Sequence, residues 1–175
     1  MESSLVVAQM PGLRRYARAL TGDAWAADDL VQDTLERACG KWRLWTPGTD
    51  LRAWLFTLMH NLYLNERRGA HARIVQVPLE DVQDSLVAPA AAVGEMMDLR
   101  RALLCLPDEQ RAVLLLVTLE DMGYEETAAV LGIPVGTVMS RLSRARARLR
   151  ELMDGTARAP APQTPVAAPT LRRMK

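Results

Sequence analysis

Cysteine, histidine and aromatic side chains are scarce in this 175-residue chain: two Cys, two His, four Trp, three Tyr and one Phe. Cys39 and Cys105 stand far apart, and neither has a second Cys or a His at ligand spacing, so a zinc site or disulfide framework is excluded. Both fall in apolar, helix-like patterns, which predicts buried thiols in a reducing compartment. No phosphate-binding glycine loop, nucleophile–histidine motif or metal cluster occurs, which argues against an enzyme and implies no cofactor. No apolar run approaches the ~18 residues of a membrane span. "MESSLVVAQMPGLRRYARAL" has no basic stretch ahead of a long apolar core, so no signal peptide is expected. A cytoplasmic protein is the expectation. β-branched runs are rare too, while Ala, Leu, Arg, Glu and Met abound, so an all-α fold is predicted.

Net charge is also nearly absent, with 22 basic against 21 acidic residues, but the charge is segregated. Residues 1–69 are almost balanced. Residues 70–134 carry four basic and eleven acidic side chains, residues 135–154 five and two, and residues 155–175 four and none. One helix is therefore strongly basic on a chain that is not.

Hydrophobic periodicity predicts three helices before residue 70. The first spans about Ser4–Leu20, and Asp23 can cap a second at about Ala24–Arg43. "WTPGTD" is a turn, followed by a third helix over about Leu51–Arg68 with Leu51, Trp54, Leu55, Leu58 and Leu62 as its stripe. Residues 70–88 lose the pattern and read as a flexible linker, whose full extension is about 65 Å. Helical periodicity returns at Pro89, with Met96, Leu99, Leu103 and Leu106 on one face. It breaks at Pro107 and resumes at Asp108. From Gly155 the Pro- and Ala-rich tail reads as disordered. The chain thus divides into 1–69, a linker 70–88, 89–154 and a tail 155–175. The expected architecture is two small helical domains joined by a flexible linker.

"YEETAAVLGIPVGTVMSRL" has helix-turn-helix spacing. Ala128 permits close helix approach, Gly132 makes the turn at a position where positive φ costs glycine little, and Val138 packs the second helix on the first. A helical hairpin sharing the spacing is the bland alternative. The second helix turns Val138, Leu142, Ala145, Leu149 and Leu152 inward, and Thr137, Ser140, Arg141, Arg144 and Arg148 outward. In a helix-turn-helix such residues meet base edges and phosphates in the major groove. A solvated basic face remains open for Arg146, Arg148 and Arg150.

A DNA reader of this size does not need the first 69 residues. Trp42 and Trp45 flank a turn beside Lys41 and Arg43, a mixture that suits unstacked bases. Asn61, Asn65 and Arg68 recur on one face of the third helix, near Thr57 and His60. Taken alone, His60 reads as a surface residue, and the whole face could simply be wet. "DDLVQDTLERA" places Asp28, Asp29, Gln32, Asp33 and Glu36 opposite Leu30, Val31 and Leu35. That acidic surface will not bind DNA, but it suits a basic protein partner.

With these motifs in this order, the chain resembles the extracytoplasmic-function (ECF) sigma factors of bacterial RNA polymerase. "ADDLVQDTLERA" is similar to region 2.2, "GTDLRAWLFTLMHNLYLNERR" to regions 2.3 and 2.4, and the segment from "LPDEQRAVLLL" through "RARARLREL" to region 4. "PGTDLRAWLFTLMHN" also looks like the general-stress subgroup. The resemblance implies docking on the core polymerase, at its β′ clamp and β flap, with Asp28, Asp29, Gln32, Asp33 and Arg37 meeting the clamp. It implies contact with the promoter −10 element through the loop Trp45–Asp50, including Thr49 and Asp50, flanked by Lys41 and Arg43, with His60, Asn61, Asn65 and Arg68 behind it. It implies −35 contact through Thr137, Ser140, Arg141, Arg144 and Arg148, and an anti-sigma protein as a further partner. Two positions depart from the family pattern: Gly123 and Pro134 stand where polar helix caps are common. A stand-alone helix-turn-helix regulator would leave the acidic helix and tryptophan loop idle. A sigma-like decoy for an anti-sigma protein would not need Arg141, Arg144 or Asn61.

Overall fold

Helices account for nearly all of residues 3–46, 48–74 and 92–154, the part of the chain described by this computed structural model, and no strand occurs among them. The order is α1 (Ser3–Thr21), α2 (Ala24–Lys41), a 3-10 turn (Trp42–Leu44), α3 (Leu51–Ile74), α4 (Ala92–Leu104), α5 (Asp108–Thr118), α6 (Tyr124–Leu131) and α7 (Val135–Met153). The expected helix start at Pro89, the turn residue Pro47, the tail from residue 155 and most of the expected linker lie outside the described residues.

Local chemistry sets the helix ends. Asp23 caps α2 by accepting from the Ala26 N–H at 2.8 Å. Asp50 does the same for α3, accepting from Arg52 N at 2.9 Å and Ala53 N at 3.2 Å. Gly132 ends α6 at φ +64°, as the turn requires. Gly123 and Pro134 begin α6 and α7 with no side-chain cap, so both starts rely on packing. α3 runs to Ile74, past the boundary expected at residue 69. No proline interrupts Arg68–Ile74, and a lone glycine at 69 costs only about 1 kcal/mol.

Two apolar cores form, and the first belongs to both halves of the chain. Leu13, Tyr16, Leu20, Leu30, Leu55, Phe56 and Met59 of α1–α3 pack with Ala112, Leu115 and Leu116 of α5, then Met122 and Val130. The Tyr16 and Phe56 rings meet edge to face at 5.3 Å. The second core is the helix-turn-helix: Leu106, Val113, Leu114, Ala128, Val138, Leu142 and Ala145. α5 serves both, so Arg111–Leu116 are buried without a break. A helix that is apolar all round is a helix covered on all sides.

Two expectations about burial fail. Cys39 and Cys105 are exposed. Cys39 lies one position off the buried Leu30–Thr34–Ala38 stripe of α2, and Cys105 occupies the turn just before buried Leu106. Met96 and Leu99 share an apolar face with Leu103 and Leu106 by periodicity, yet Met96 is 74% exposed and Leu99 39%. α4 packs through its C-terminal end, at Ala102 and Leu103, with Leu106 just beyond it.

Candidate polymerase and nucleic-acid interfaces

Because α2 buries Ala27, Leu30, Val31, Thr34 and Ala38, its helical period turns Asp28, Asp29, Gln32, Asp33, Glu36 and Arg37 outward, and all six are exposed. Gln32 Nε2 donates to Glu36 Oε1 at 3.0 Å, and Arg18 of α1 lies 4.0 Å from Asp28. Glu66 of α3 joins this surface. Its pKa is raised by burial and by the nearby charges of Asp33 and Asp29. Sequence periodicity within one helix could not reveal Glu66, which reaches the acidic face from a neighbouring helix. An open groove beside it runs between α1 and α2, lined by Met10, Arg14, Val31, Leu35 and Cys39 among others.

The tryptophan loop is more structural than its sequence suggests. The Trp42 and Trp45 rings lie against each other with centroids 5.0 Å apart and planes tilted by 38°, Trp42 meets Trp54 edge to face, and all three pack on the first core. Trp45 is therefore no free platform for bases: its ring is half-buried and its Nε1 is buried. Asp50 spends its carboxylate on the α3 cap. Thr49 closes the loop through its hydroxyl, which donates to Thr46 O at 2.7 Å. Lys41, Arg43 and Leu44 are exposed beside this loop, with Leu44 at 73%, and Thr46, Thr49 and Asp50 within it are exposed as well.

On α3, Asn61, Asn65 and Arg68 are exposed on one face, as their i, i+4, i+7 spacing requires. His60 is not the surface residue expected. It is 6% exposed, and its Nδ1 has no hydrogen-bond partner among the described residues. Burial, with Arg141 nearby, lowers its pKa to about 4, so the imidazole is neutral. The reason is tertiary: α6 packs against α3, and Arg141 of α7 lies across the adjoining cleft. A cleft of about 640 Å³ is lined by His60, Arg67 and Arg68 on one side, and by Ile133 and Arg141 on the other.

Only part of the outward set expected on α7 is open to solvent. Ser140 and Arg144 are exposed, as are Arg146 and Arg150, and Thr137 is half-exposed. Arg141 is turned into the cleft and paired with Glu109 of α5. Arg148 is held by Glu151 at 3.0 Å.

Polar clamps flank this contact between the halves. Asp108 accepts from Tyr63 OH at 3.0 Å, from Arg67 Nε at 2.9 Å, and from Arg111. The buried Arg111 also donates to Tyr63 OH and to the Leu104 carbonyl. The hydrogen bond from Arg67 to Asp108 raises the arginine's pKa. On the other side, Glu120 accepts from Arg15 Nε and Nη2, both at 2.9 Å, and from Arg52.

Among the described residues, no group of His, Cys, Asp or Glu could hold a metal ion, and no helix is long and apolar enough to cross a membrane.

Similarity to known proteins agrees with the motif order. Residues 6–60 match the family described as the Sigma2 domain of PhyR, and residues 96–149 match Sigma-70, region 4. An ECF RNA polymerase sigma factor, EcfG of Rhodopseudomonas palustris, is 38% identical over 149 residues, which cover 85% of this chain and 82% of the relative. Among solved structures, the sigma factor RpoE in complex with the anti-sigma factor NepR from Bartonella quintana aligns with a TM-score of 0.74 at 33% identity. That alignment covers 87% of this chain and 96% of that one. CnrH in complex with the cytosolic domain of CnrY aligns with a TM-score of 0.66 at 30% identity, covering 89% and 88%. With its region 2 bundle, its region 4 helix-turn-helix and similarity over most of its length to a relative 38% identical, the chain belongs to the ECF sigma factors of RNA polymerase.

Proposed function

We propose that this chain docks on the core RNA polymerase through the exposed acidic face of α2 and directs transcription from promoters whose −10 and −35 elements it reads with α3 and α7. One observation carries the reading: the chain keeps a carboxylate-rich face and an arginine-rich helix on separate surfaces. A polyanion repels the first and attracts the second, so two dissimilar partners are needed. Asp28, Asp29, Gln32, Asp33 and Arg37 meet the β′ clamp, with Glu66 extending their surface, and region 4 lies toward the β flap. Lys41, Arg43, Asn61, Asn65 and Arg68 serve the −10 strand. Trp45, Thr49 and Asp50 hold the shape of the loop beside it. Thr137, Ser140, Arg141, Arg144 and Arg148 serve the −35 duplex. The polymerase performs the chemistry.

Near-neutral overall charge suits this role, because the isolated chain then has little non-specific affinity for DNA. An anti-sigma protein is the natural further partner, since the arrangement of helices resembles that of RpoE, a sigma factor solved with the anti-sigma factor NepR bound.

Run-off transcription with core polymerase over a promoter library tests the reading. Transcripts should start at a defined pair of elements, and Arg144→Ala should reduce dependence on the upstream one. No promoter-specific transcript from any core polymerase tested would refute it.

A further inference from the structure

Separating two DNA strands leaves bases without their neighbours, and an apolar group must take the place those neighbours held. By sequence, Trp42 and Trp45 suit that task, but the fold draws both onto the first core. Four large apolar side chains stay exposed among the described residues of the first module, α1–α3 with the turn before α3: Leu5, Val7, Trp25 and Leu44. Leu5 and Val7 lie at the start of α1, where the nearest basic residue along the chain is Arg14. Trp25 falls on the outward side of α2, four positions before Asp29 and seven before Gln32, so a polyanion is repelled from it. Only Leu44 of the four stands among cations. Lys41 and Arg43 are exposed beside it, and no acid occurs between Glu36 and Asp50. Asp50 itself is committed to the α3 cap.

The backbone under Leu44 is fixed from both sides. Leu44 ends the 3-10 turn Trp42–Leu44, which the Trp45 N–H closes on the Trp42 carbonyl at 3.2 Å. The Trp42 ring is wedged against Trp45 and Trp54, with centroids 5.0 and 6.2 Å away. Further on, the Thr49 N–H and hydroxyl both donate to the Thr46 carbonyl, at 3.1 and 2.7 Å. The tryptophans turn inward, while Leu44 is 73% exposed. A side chain on so rigid a support loses little freedom when it inserts into a partner. Leucine has no hydrogen-bonding group, so it cannot read a base edge as an amide does. Its chemistry is that of a wedge, which enters between base steps and unstacks them.

We infer that Leu44 is the wedge that enters the base stack as the −10 duplex opens, with Lys41 and Arg43 on the flanking phosphates. This role rests on the −10 reading proposed above, and it concerns opening rather than binding. Entry belongs at a pyrimidine–purine step such as TA, where DNA unstacks most easily, and a thymine methyl there offers the leucine apolar contact.

The test uses Leu44→Ala and Leu44→Met in the full-length chain bound to core polymerase. 2-Aminopurine within the −10 element reports opening. Run-off transcription compares a duplex promoter with the same promoter carrying a mismatched, already open bubble over the −10 element. Because Leu44 is exposed, both variants should unfold at the wild-type denaturant concentration and bind core polymerase with wild-type affinity. Leu44→Ala should open the duplex about tenfold less than wild type, the scale set by withdrawing one buried leucine side chain from the opened complex. On the open bubble it should equal wild type. Leu44→Met keeps an apolar wedge and should restore opening.

Leu44→Ala opening the duplex as well as wild type would overturn the wedge. So would an equal loss on both templates, which would make Leu44 a binding contact, or a loss of polymerase affinity, which would assign it to docking. No promoter-specific transcript from wild type on either template would refute the −10 reading itself and the wedge with it, an outcome distinct from active wild type alongside an equally active Leu44→Ala.

Discussion

α2 and α7 are both long, amphipathic and strongly charged, yet the fold treats their polar faces differently. All six polar residues of the α2 face point to solvent, at most tied to one another or to Arg18. On α7, Arg141 is turned into the cleft and held by Glu109, and Arg148 is held by Glu151, while Ser140 and Arg144 stay open. The acidic surface is ready for a partner as it stands. The basic surface is partly spent on the chain itself. Charge on a helix face is thus only a capacity to bind; which neighbours pack against that helix decides whether the capacity is available.

Breaking the acidic side of the comparison has the largest expected effect. Asp29→Lys combined with Gln32→Ala should weaken binding of core polymerase about a hundredfold, close to what loss of a buried interface anchor costs. Helix content and thermal unfolding should stay as in wild type, because both positions are exposed. Affinity measurements with core polymerase check this, and unchanged binding would remove the docking assignment.

The covered side can be sharpened by pH. The folded-state pKa of His60 is lowered from 6.5 to about 4. Between those values the unfolded chain binds more protons than the folded one. Stability is therefore fully present above pH 6.5 and is lost as pH falls toward 4. The loss from this group should be about 2 kcal/mol between pH 7 and pH 5. Arg67 and Arg68 of α3, Asp108 and Glu109 of α5 and Arg141 of α7 line the same cleft. Denaturant unfolding of wild type against His60→Phe should show the slope in the first and a flatter profile in the second.

The smallest effect concerns how α6 begins. Gly123 has extended backbone angles, φ −64° and ψ 163°, and a Cβ there would meet nothing within 4 Å. Gly123→Ser should add a cap and stabilise the chain by a few tenths of a kcal/mol, measurable as a small rise in denaturation midpoint.

Much of this was legible in the sequence because it is local. The α2 face, the Asp23 cap, the break at Pro107 and the Ala128–Gly132–Val138 spacing each depend on residues a few positions apart, so helical period exposes them. What was not legible depends on contacts across the chain. His60 reads as a surface residue on its own helix and is buried by another. Trp45 reads as a base platform and is half-buried against Trp42. Glu120 carries no mark of Arg15 and Arg52, which hold it from the first half of the chain. One signal of these contacts does stand in the sequence: Ala112–Val117 is apolar all round, which a helix buried on one face does not need. That run announced a second covering surface, and the first module supplies it.

The central claim is that an exposed acidic face on α2 serves one partner while separate surfaces of α3 and α7 serve another. The most direct test is run-off transcription with core polymerase, comparing wild type with the Asp29→Lys, Gln32→Ala double variant at limiting concentration. Transcripts from a defined pair of promoter elements with wild type, and their loss with the variant, are the predicted result. Equal promoter-specific transcript from both would contradict it.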